Sequence, residues 1–428
     1  MVNGSGTFQK RRRFVAFLTL LFIMVAMFFG VMPRASATNG SEMIQTEAVS
    51  AILFDAKRGQ VIYSKTSDEL SNSSLANRVM AVLITLEKSD TEALVTASKD
   101  AVNVEGASLK LSVGEKYAVK NLLNALLLTG SKDAAIALAE YVGGSEEGFV
   151  KLMNSKAQEL GMSNTRFVNS TGAFDENQVT TINDIQTLFK YALSKSDFNR
   201  FFGSQAKPWY DSTKTLLLTN TNNMFWNYNN TDGGVTTSVD KELQSIATTV
   251  NRDNMRLVCI LLDVPTKNMY TDSITLLNYG FDNYLYGTLL YAGSSQKSVT
   301  VEGQTLNLVP TQDVHYIYPK GQSNIKNIAL NVDESKLKPP ITKSTVVGML
   351  TYTLADDTVI NVELYPDREI LPQKTQRQLL QEKLKENKEL IYVIIILVLI
   401  EVIMCFVKLG GFMRKQWIKN RVRRHRTH

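Results

Sequence analysis

Histidine and cysteine, the side chains that most often act as bases, nucleophiles or zinc ligands, are rare in this chain of 428 residues. His315 is the only histidine before the last four residues, and the two cysteines are Cys259 and Cys405. The part of the chain that precedes the C-terminal apolar segment has one histidine and one cysteine, which cannot assemble a His/Cys zinc site, and a Ser-His-Asp relay there would depend on His315 alone. We therefore expect no metal, no cofactor and no intramolecular disulfide.

The N-terminal segment has the three parts of an export signal. Residues 10–13 are basic, residues 14–32 are apolar, and Ala35-Ser36-Ala37 supplies the small residues that a signal peptidase accepts. We predict a signal peptide over residues 1–37, cleaved after Ala37. The alternative is an uncleaved N-terminal anchor.

A second apolar run, residues 390–409, predicts a transmembrane helix, because twenty residues at about 1.5 Å each span roughly 30 Å. The alternative is a buried core helix. The tail that follows, residues 410–428, contains seven Lys or Arg residues and no acid. The positive-inside rule predicts a cytoplasmic tail and therefore an extracytoplasmic segment over residues 38–389, attached to the cell membrane by a single pass.

Charge distribution argues against nucleic-acid binding by the exported part. The chain has 47 basic and 41 acidic residues; five basic residues precede Thr38, eight follow Glu401, and Glu401 is the only acid outside residues 38–389. The exported part therefore has 34 basic and 40 acidic residues, a net charge of about −6. A polyanion would be repelled, and the basic tail is explained by topology and anionic lipid.

Residues 46–287 have the pattern of one mixed α and β domain. Residues 48–65 predict a β-hairpin, residues 122–160 predict three helices, and residues 244–262 predict two further strands. Ser145 is the expected N-cap and Gly161 the expected end of the third helix. A last helix is predicted from Tyr270 to about Tyr284. This order predicts one sheet with helices packed against it, an α+β fold.

Residues 288–370 predict a second, all-β domain. Short runs rich in β-branched and apolar residues recur between turn residues, which is typical of a small β-sandwich. Residues 371–389 are highly charged with leucines at helical spacing, and they predict a helical stalk next to the membrane.

Several ordered segments resemble the D-alanyl-D-alanine carboxypeptidases, the serine-type low-molecular-mass penicillin-binding proteins that trim peptidoglycan stem peptides. The segments are residues 50–63, 133–140, 144–154 and 161–169, with Met255-Arg256-Leu257 in a late strand. The resemblance extends from about Ala48 to Asp367. It implies a penicillin-binding-protein/β-lactamase-like transpeptidase domain followed by the β-sandwich and the membrane anchor.

The first motif of that family is Ser-x-x-Lys at the start of a helix, where lysine accepts the proton of serine on the same helix face. The aligned residues are Leu75–Arg78, so the resemblance puts Leu75 at the nucleophile position and Arg78 at the base position. Leucine has no nucleophile, and arginine stays protonated. A shift by one residue restores Ser74 but puts Asn77 at the base position.

The second motif, Ser-x-Asn, is expected directly before Asp133. The residues found there are Gly130, Ser131 and Lys132. Gly130 has no hydroxyl, and the side chain of Ser131 would be rotated by roughly 100° if the segment is helical. Lys132 at ordinary exposure is protonated and a poor base.

The third motif, Lys-Thr-Gly, is expected on a strand beside the cleft, where its lysine binds the substrate carboxylate. The aligned residues are Val235, Thr236 and Thr237. The cation is replaced by valine, and the glycine by a branched side chain. The resemblance therefore implies a family member whose catalytic motifs are all degenerate.

We expect a catalytically inactive homologue that binds or scaffolds in the cell envelope. Its partner would be a peptidoglycan stem peptide or another envelope protein, and loss of the motif cation favours the protein partner. The alternative is an active carboxypeptidase that releases the terminal D-alanine through Ser74, Ser131 and Lys132.

Glu401 lies near the middle of the predicted transmembrane helix, where an ionised carboxylate costs on the order of 3 kcal/mol. One explanation is a protonated or water-reached side chain on a simple anchor. The other is a polar contact between Glu401 and a partner transmembrane helix.

Overall fold

The computed structural model describes residues 44–66, 68–72, 74–238, 242–386 and 388–424. The predicted signal peptide and the last four residues of the tail lie outside these ranges. The chain divides into two compact units. The first extends to Tyr286 and includes Ile317–Ser323, and the second comprises Gly287–Tyr316 and the residues from Asn324 onward.

A five-stranded antiparallel sheet forms the centre of the first unit. From one edge to the other its strands are β2 (Val61–Lys65), β1 (Ser50–Asp55), β9 (Met255–Pro265), β8 (Leu243–Arg252) and β7 (Thr231–Ser238). Two short hairpins complete the strands of this unit: β3 (Leu94–Thr96) with β4 (Lys116–Ala118), and β5 (Ala206–Tyr210) with β6 (Thr215–Thr219). The predicted hairpin at residues 48–65 and the later strand pair are confirmed.

Both faces of this sheet are covered, which explains the unbroken apolar run of β1. Ile52 and Phe54 pack in one large buried cluster, and Ala51 and Leu53 pack in a second. A strand covered on both faces needs apolar residues at every position instead of alternate ones. The helices of the unit are α1 (Leu75–Lys88), α2 (Lys99–Val102), α3 (Val119–Thr129), α4 (Lys132–Gly143), α5 (Glu146–Leu160), α6 (Ile182–Leu193), α7 (Ser196–Phe202), α8 (Met224–Asn227) and α9 (Met269–Asn283).

The helix boundaries follow local chemistry. The Ser145 hydroxyl accepts a hydrogen bond from the Gly148 N–H at 3.0 Å, and Gly161 ends α5 with a φ of 78°. Both predicted caps are therefore confirmed. Helix α1 is buried on almost every side from Leu75 to Thr85, so it is the central helix of the unit.

The second unit contains a five-stranded antiparallel sheet, which confirms the predicted all-β domain. Its strands, in spatial order, are β11 (Lys297–Val301), β12 (Gln304–Val309), β16 (Val359–Pro366), β15 (Gly348–Leu354) and β14 (Ile325–Val332). Burial alternates along β15, as one covered sheet face requires. Leu290 and Val314 belong to the same buried cluster. The remaining elements are β10 (Tyr284–Leu290), β13 (Val314–Pro319) and a 3₁₀ turn (Glu334–Lys336).

Two helices follow the second sheet: α10 (Gln376–Glu386), within the predicted stalk, and α11 (Lys388–Arg424). Among the described residues, one helical segment, Ile391–Ile418, is long and apolar enough to cross a membrane. It begins where the predicted transmembrane helix begins and continues past the predicted end at residue 409. The chain therefore carries a candidate C-terminal membrane anchor.

Candidate functional site

A cleft with a volume of about 520 Å³ opens beside the edge strand β7 of the first unit. The start of α1, the junction of α3 and α4, residues 171–174 and the start of α9 form its other walls. Its lining is mostly polar and, among the described residues, contains no Asp, Glu, His or Cys. The lining residues used below are Ser74, Arg78, Gly130, Lys132, Thr236 and Thr237.

The start of α1 directs Ser74 to the cleft and Leu75 to the hydrophobic core. Ser74 is 8% exposed and lines the cleft, whereas Leu75 is fully buried. Arg78 follows Ser74 by four residues, which puts both side chains on one face of the helix. The two side chains of this segment that meet in the cleft are therefore a serine and an arginine.

Asn77 has a structural role. It is 1% exposed, and its Nδ2 donates hydrogen bonds to the Asn169 carbonyl at 2.8 Å and to Gln178 Oε1 at 2.7 Å. These bonds tie α1 to the segment before α6. An amide cannot accept a proton at neutral pH, so Asn77 cannot act as the base for Ser74.

The guanidinium of Arg78 extends across the cleft to β7 and passes over Gly130. Its Nη1 donates to the Thr236 carbonyl at 2.7 Å. A Cβ atom added at Gly130 would lie 2.3 Å from Nη2, so the arginine occupies the space that any larger residue would need. Burial lowers the pKa of Arg78 to about 10, and the side chain therefore remains protonated at neutral pH.

At the junction of α3 and α4, Gly130 and Lys132 line the cleft and Ser131 does not. Gly130 ends α3 in the left-handed conformation, with φ at 68°. Ser131 is 1% exposed; its hydroxyl donates to the Asp133 carboxylate and accepts from the Leu109 N–H. Ser131 thus fixes the start of α4, and Lys132 is the side chain that reaches the cleft.

Strand β7 contributes Thr236 and Thr237 to the cleft and buries Val235 in the core. Thr236 Oγ1 donates to Thr221 Oγ1 at 2.7 Å. Thr237 is 3% exposed, and its hydroxyl has no hydrogen-bond partner in the described part of the chain. Of the seven motif positions predicted from the sequence, Leu75 and Val235 lie in the hydrophobic core. The other five line the cleft: Arg78, Gly130, Lys132, Thr236 and Thr237.

One wall of the cleft, formed by residues 220–223 and α9, was not predicted from the sequence. Tyr270 donates its hydroxyl hydrogen to the Thr221 carbonyl and accepts from the Asn223 N–H, both at 3.2 Å. Asn222 is fully buried and donates from Nδ2 to Thr248 Oγ1 at 2.9 Å. The run Asn220-Thr221-Asn222-Asn223 is the one sequence signal for this wall, because polar residues so concentrated indicate a turn fixed by side-chain hydrogen bonds.

Comparison with known proteins agrees with this architecture. The profile of the D-alanyl-D-alanine carboxypeptidase family matches residues 35–266, and that of the penicillin-binding protein 5 C-terminal domain matches residues 286–371. The chain belongs to the D-alanyl-D-alanine carboxypeptidase family. The D-alanyl-D-alanine carboxypeptidase DacF of Bacillus subtilis (strain 168) is 27% identical over 315 residues, which cover 71% of this chain and 81% of the relative.

Two solved structures share the fold of this carboxypeptidase-family chain. Penicillin-binding protein 5 from Haemophilus influenzae superimposes with a TM-score of 0.64 at 22% identity, covering 77% of this chain and 98% of its own. A peptidoglycan synthesis regulatory factor (PBP3) from Streptococcus pneumoniae gives 0.65 at 22% identity, covering 76% and 100%. The chain therefore has the penicillin-binding-protein fold with a C-terminal all-β domain.

The first motif of this carboxypeptidase family pairs a nucleophilic serine with a lysine on the same helix face, and the serine needs a neighbouring base to accept its proton. The cleft presents Ser74 beside Arg78, a group whose pKa of about 10 leaves it protonated. Groups of three or more side chains that could hold a metal ion are absent from the described residues. This arrangement supplies hydrogen-bond donors and positive charge, which are the requirements for holding an anion.

Proposed function

We propose that this protein is a non-catalytic member of the D-alanyl-D-alanine carboxypeptidase family that acts in the cell envelope by binding. The observation that carries the proposal is the pair Ser74 and Arg78 in the cleft. A serine hydroxyl has a pKa far above 7, so it becomes a nucleophile only when a neighbouring group accepts its proton. A protonated guanidinium already holds its protons and cannot do so.

The other two motif positions support the same proposal. We assign Gly130 and Lys132 to the second motif and Val235, Thr236 and Thr237 to the third. Gly130 brings no hydroxyl to the cleft, and Val235 is buried in the core. The alternative of catalysis through Ser74, Ser131 and Lys132 is disfavoured, because the Ser131 hydroxyl is buried and bonded to the Asp133 carboxylate.

Labelling with fluorescent penicillin tests the loss of chemistry. The full-length protein in detergent is incubated with the label beside a relative that carries Ser-x-x-Lys, and its intact mass is measured in parallel. We expect no covalent adduct and no release of D-alanine from a peptide ending in D-Ala-D-Ala. A stoichiometric adduct that disappears in Ser74→Ala would refute the proposal.

We further propose that both units are extracytoplasmic, anchored by α11 with its basic tail in the cytoplasm. The support is the apolar segment Ile391–Ile418 and the excess of Lys and Arg after Glu401. Two single-cysteine sites test this orientation: Lys343, which is exposed in the second unit, and Arg414 near the end of the helix. A membrane-impermeant maleimide should label Lys343→Cys in intact cells and leave Arg414→Cys unlabelled; the reverse pattern overturns the orientation.

Binding by this protein has a second candidate surface in the membrane. Glu401 lies within Ile391–Ile418, about five ångströms along the helix from its midpoint at 1.5 Å per residue. A carboxylate at that depth is stabilised by a polar partner on a neighbouring helix. Photo-crosslinking beside position 401 should give a product that is lost in Glu401→Leu and kept in the matched apolar change Val398→Leu. An unchanged product in Glu401→Leu would count against the contact.

A further inference from the structure

Among the residues that the structure describes, the cleft has positively charged lining side chains and no acidic one. Arg78 comes from α1 and Lys132 from the start of α4, and both line the same cavity of about 520 Å³. Among the described lining residues there is no carboxylate. Two cations that converge on one cavity without an acid between them create a local positive potential, which attracts a negatively charged ligand.

Arg78 is the cation of the cleft that most needs an anionic partner, because its guanidinium is desolvated. In the described chain its only hydrogen bond from the side chain goes to a neutral acceptor, the Thr236 carbonyl, and it forms no ion pair. Burial is the sole cause of its lowered pKa, so no neighbouring carboxylate offsets the loss of solvent. A guanidinium has five N–H donors, and most of those on Arg78 remain available to a ligand.

Lys132 is held over the cleft by close packing with Gly106. A Cβ atom at Gly106 would lie 3.0 Å from Lys132 Nζ, so the glycine permits the lysine side chain to pass. Within the described ranges Lys132 makes no side-chain hydrogen bond or ion pair. Its ammonium is therefore positioned at the cleft but not neutralised there.

Two hydroxyl groups add neutral donors to the cleft. Thr237 is 3% exposed, and its buried hydroxyl has no hydrogen-bond partner among the described residues; Ser74 is 8% exposed and lines the same cleft. Buried hydroxyls are normally satisfied, so the Thr237 hydroxyl indicates a position that a ligand atom would complete, and the Ser74 hydroxyl is a further donor on the cleft wall. Guanidinium, ammonium and hydroxyl groups together form a donor set that suits an oxyanion and would repel a metal cation.

We infer that the cleft binds a small ligand through an oxyanion, a carboxylate or a phosphate, held between Arg78 and Lys132 with Ser74 and Thr237 as neutral donors. This inference rests on the proposed function, since it assigns a ligand class to the same non-catalytic cleft. The charge comes from two helices, whereas the third motif of the family would place it on β7, where Val235 is buried. The site is therefore a newly arranged anion site.

Calorimetric titration of the full-length protein in detergent tests the inference. The probes are inorganic phosphate, acetate, and a peptide ending in a D-alanine carboxylate beside its C-terminal amide, which differs only in charge. We expect one oxyanion probe to bind, and the amide to bind at least tenfold more weakly if the peptide is the ligand. Preference for phosphate over both carboxylates would identify a phosphate-bearing ligand instead.

Charge-removing variants locate the site. Arg78→Gln and Lys132→Gln should each weaken binding by about 10- to 100-fold, because each removes a charge-assisted hydrogen bond. Lys132→Arg should retain most of the binding. The matched control is Lys120→Gln, a half-exposed lysine outside the cleft, which should leave the affinity unchanged. If Arg78→Gln fails to fold, the comparison of Lys132→Gln with Lys132→Arg tests the inference by itself. The Lys132 side chain makes no hydrogen bond to a described residue, so these changes remove no such contact from the fold.

The result that would overturn the inference is either no binding by any probe or binding that both charge-removing variants leave unchanged. Penicillin labelling of the same sample keeps this failure separate from failure of the proposed function. An unlabelled protein that binds no oxyanion retains the proposed function and loses the inference. A protein that penicillin acylates through Ser74 loses the proposed function whatever the titration gives.

Discussion

Replacing Gly130 by alanine should destabilise the first unit by about 2 to 4 kcal/mol, and most of that cost should depend on Arg78. Two effects contribute. An L-residue at a φ of 68° costs about 1 kcal/mol of backbone strain, and the new Cβ would lie 2.3 Å from Arg78 Nη2. Overpacking of a tightly filled site costs typically 1–3 kcal/mol. In an Arg78→Ala background only the strain remains, so the cost of Gly130→Ala should fall to about 1 kcal/mol.

Gly161 supplies the matched control. It also ends a helix with a left-handed φ, 78°, but a Cβ there would meet no atom within 4 Å. Gly161→Ala should therefore cost about 1 kcal/mol with or without Arg78. Urea unfolding followed by tryptophan fluorescence in a Trp417→Phe background reports the first unit, because the other two tryptophans, Trp209 and Trp226, both lie there.

The double-mutant cycle gives the decisive number. A coupling of about 1–3 kcal/mol between positions 78 and 130 is expected, and none between positions 78 and 161. If Gly130→Ala costs the same in both backgrounds, Arg78 moves aside freely and is not held in place over residue 130. That result would also remove the steric reason for a glycine at position 130.

Three further predictions concern the titration and burial of single groups. The Arg368 guanidinium holds the pKa of Asp367 at about 2, so the contribution of this carboxylate to the second unit is present above the unfolded pKa of about 3.9 and is lost as the pH falls through 2. Asp367→Asn should therefore lower stability by about 1 kcal/mol at pH 7 and by much less at pH 2, in urea unfolding followed by circular dichroism. Burial raises the pKa of Cys259 to about 12, so in a Cys405→Ser background native protein should resist iodoacetamide and react fully once unfolded; modification of the native state at the rate of a free thiol would contradict this. The fully buried Asp133 carboxylate accepts hydrogen bonds from two hydroxyls and from the N–H groups of a facing loop, so Asp133→Ala should cost about 3 kcal/mol and speed hydrogen exchange at residues 108–111, and unchanged exchange there would refute the role.

The sequence was sufficient for elements whose cause is local. Ser145 and Gly161 bound α5 through cap chemistry that involves only their neighbours, and the hairpin at residues 48–65 follows from its apolar runs and the turn between them. The all-β domain was also predicted from local patterns, because short runs rich in β-branched and apolar residues recur between turn residues. The family followed from ordered segments whose resemblance the profile match confirms.

The cleft was less predictable, because its composition depends on rotations of single residues and on distant segments. At the start of α1 one residue changes the direction of a side chain by roughly 100°, which separates Ser74 in the cleft from Leu75 in the core. An alignment to motif positions does not show which of two neighbouring side chains faces the cleft. Likewise, Arg78 and Lys132 are far apart in sequence, and only the packing of α1 against α4 brings them to one cavity. The expectation that the site lost its cation considered the third motif, where valine replaces lysine, and not the convergence of Arg78 and Lys132 on the same cavity.

In the proposed function, the arginine at position 78 is connected both with the loss of catalysis and with the binding of an anion. A lysine can be neutralised by burial and then accept a proton, whereas arginine keeps its charge even with a pKa lowered to about 10. A desolvated permanent charge is stable only if hydrogen-bond partners surround it, and among the described residues the one acceptor for the Arg78 side chain is a neutral carbonyl. The remaining stabilisation must come from solvent or from an anionic ligand. Both proposals therefore depend on the same residue: Arg78 would prevent the activation of Ser74 and would give the cleft its capacity to bind an oxyanion.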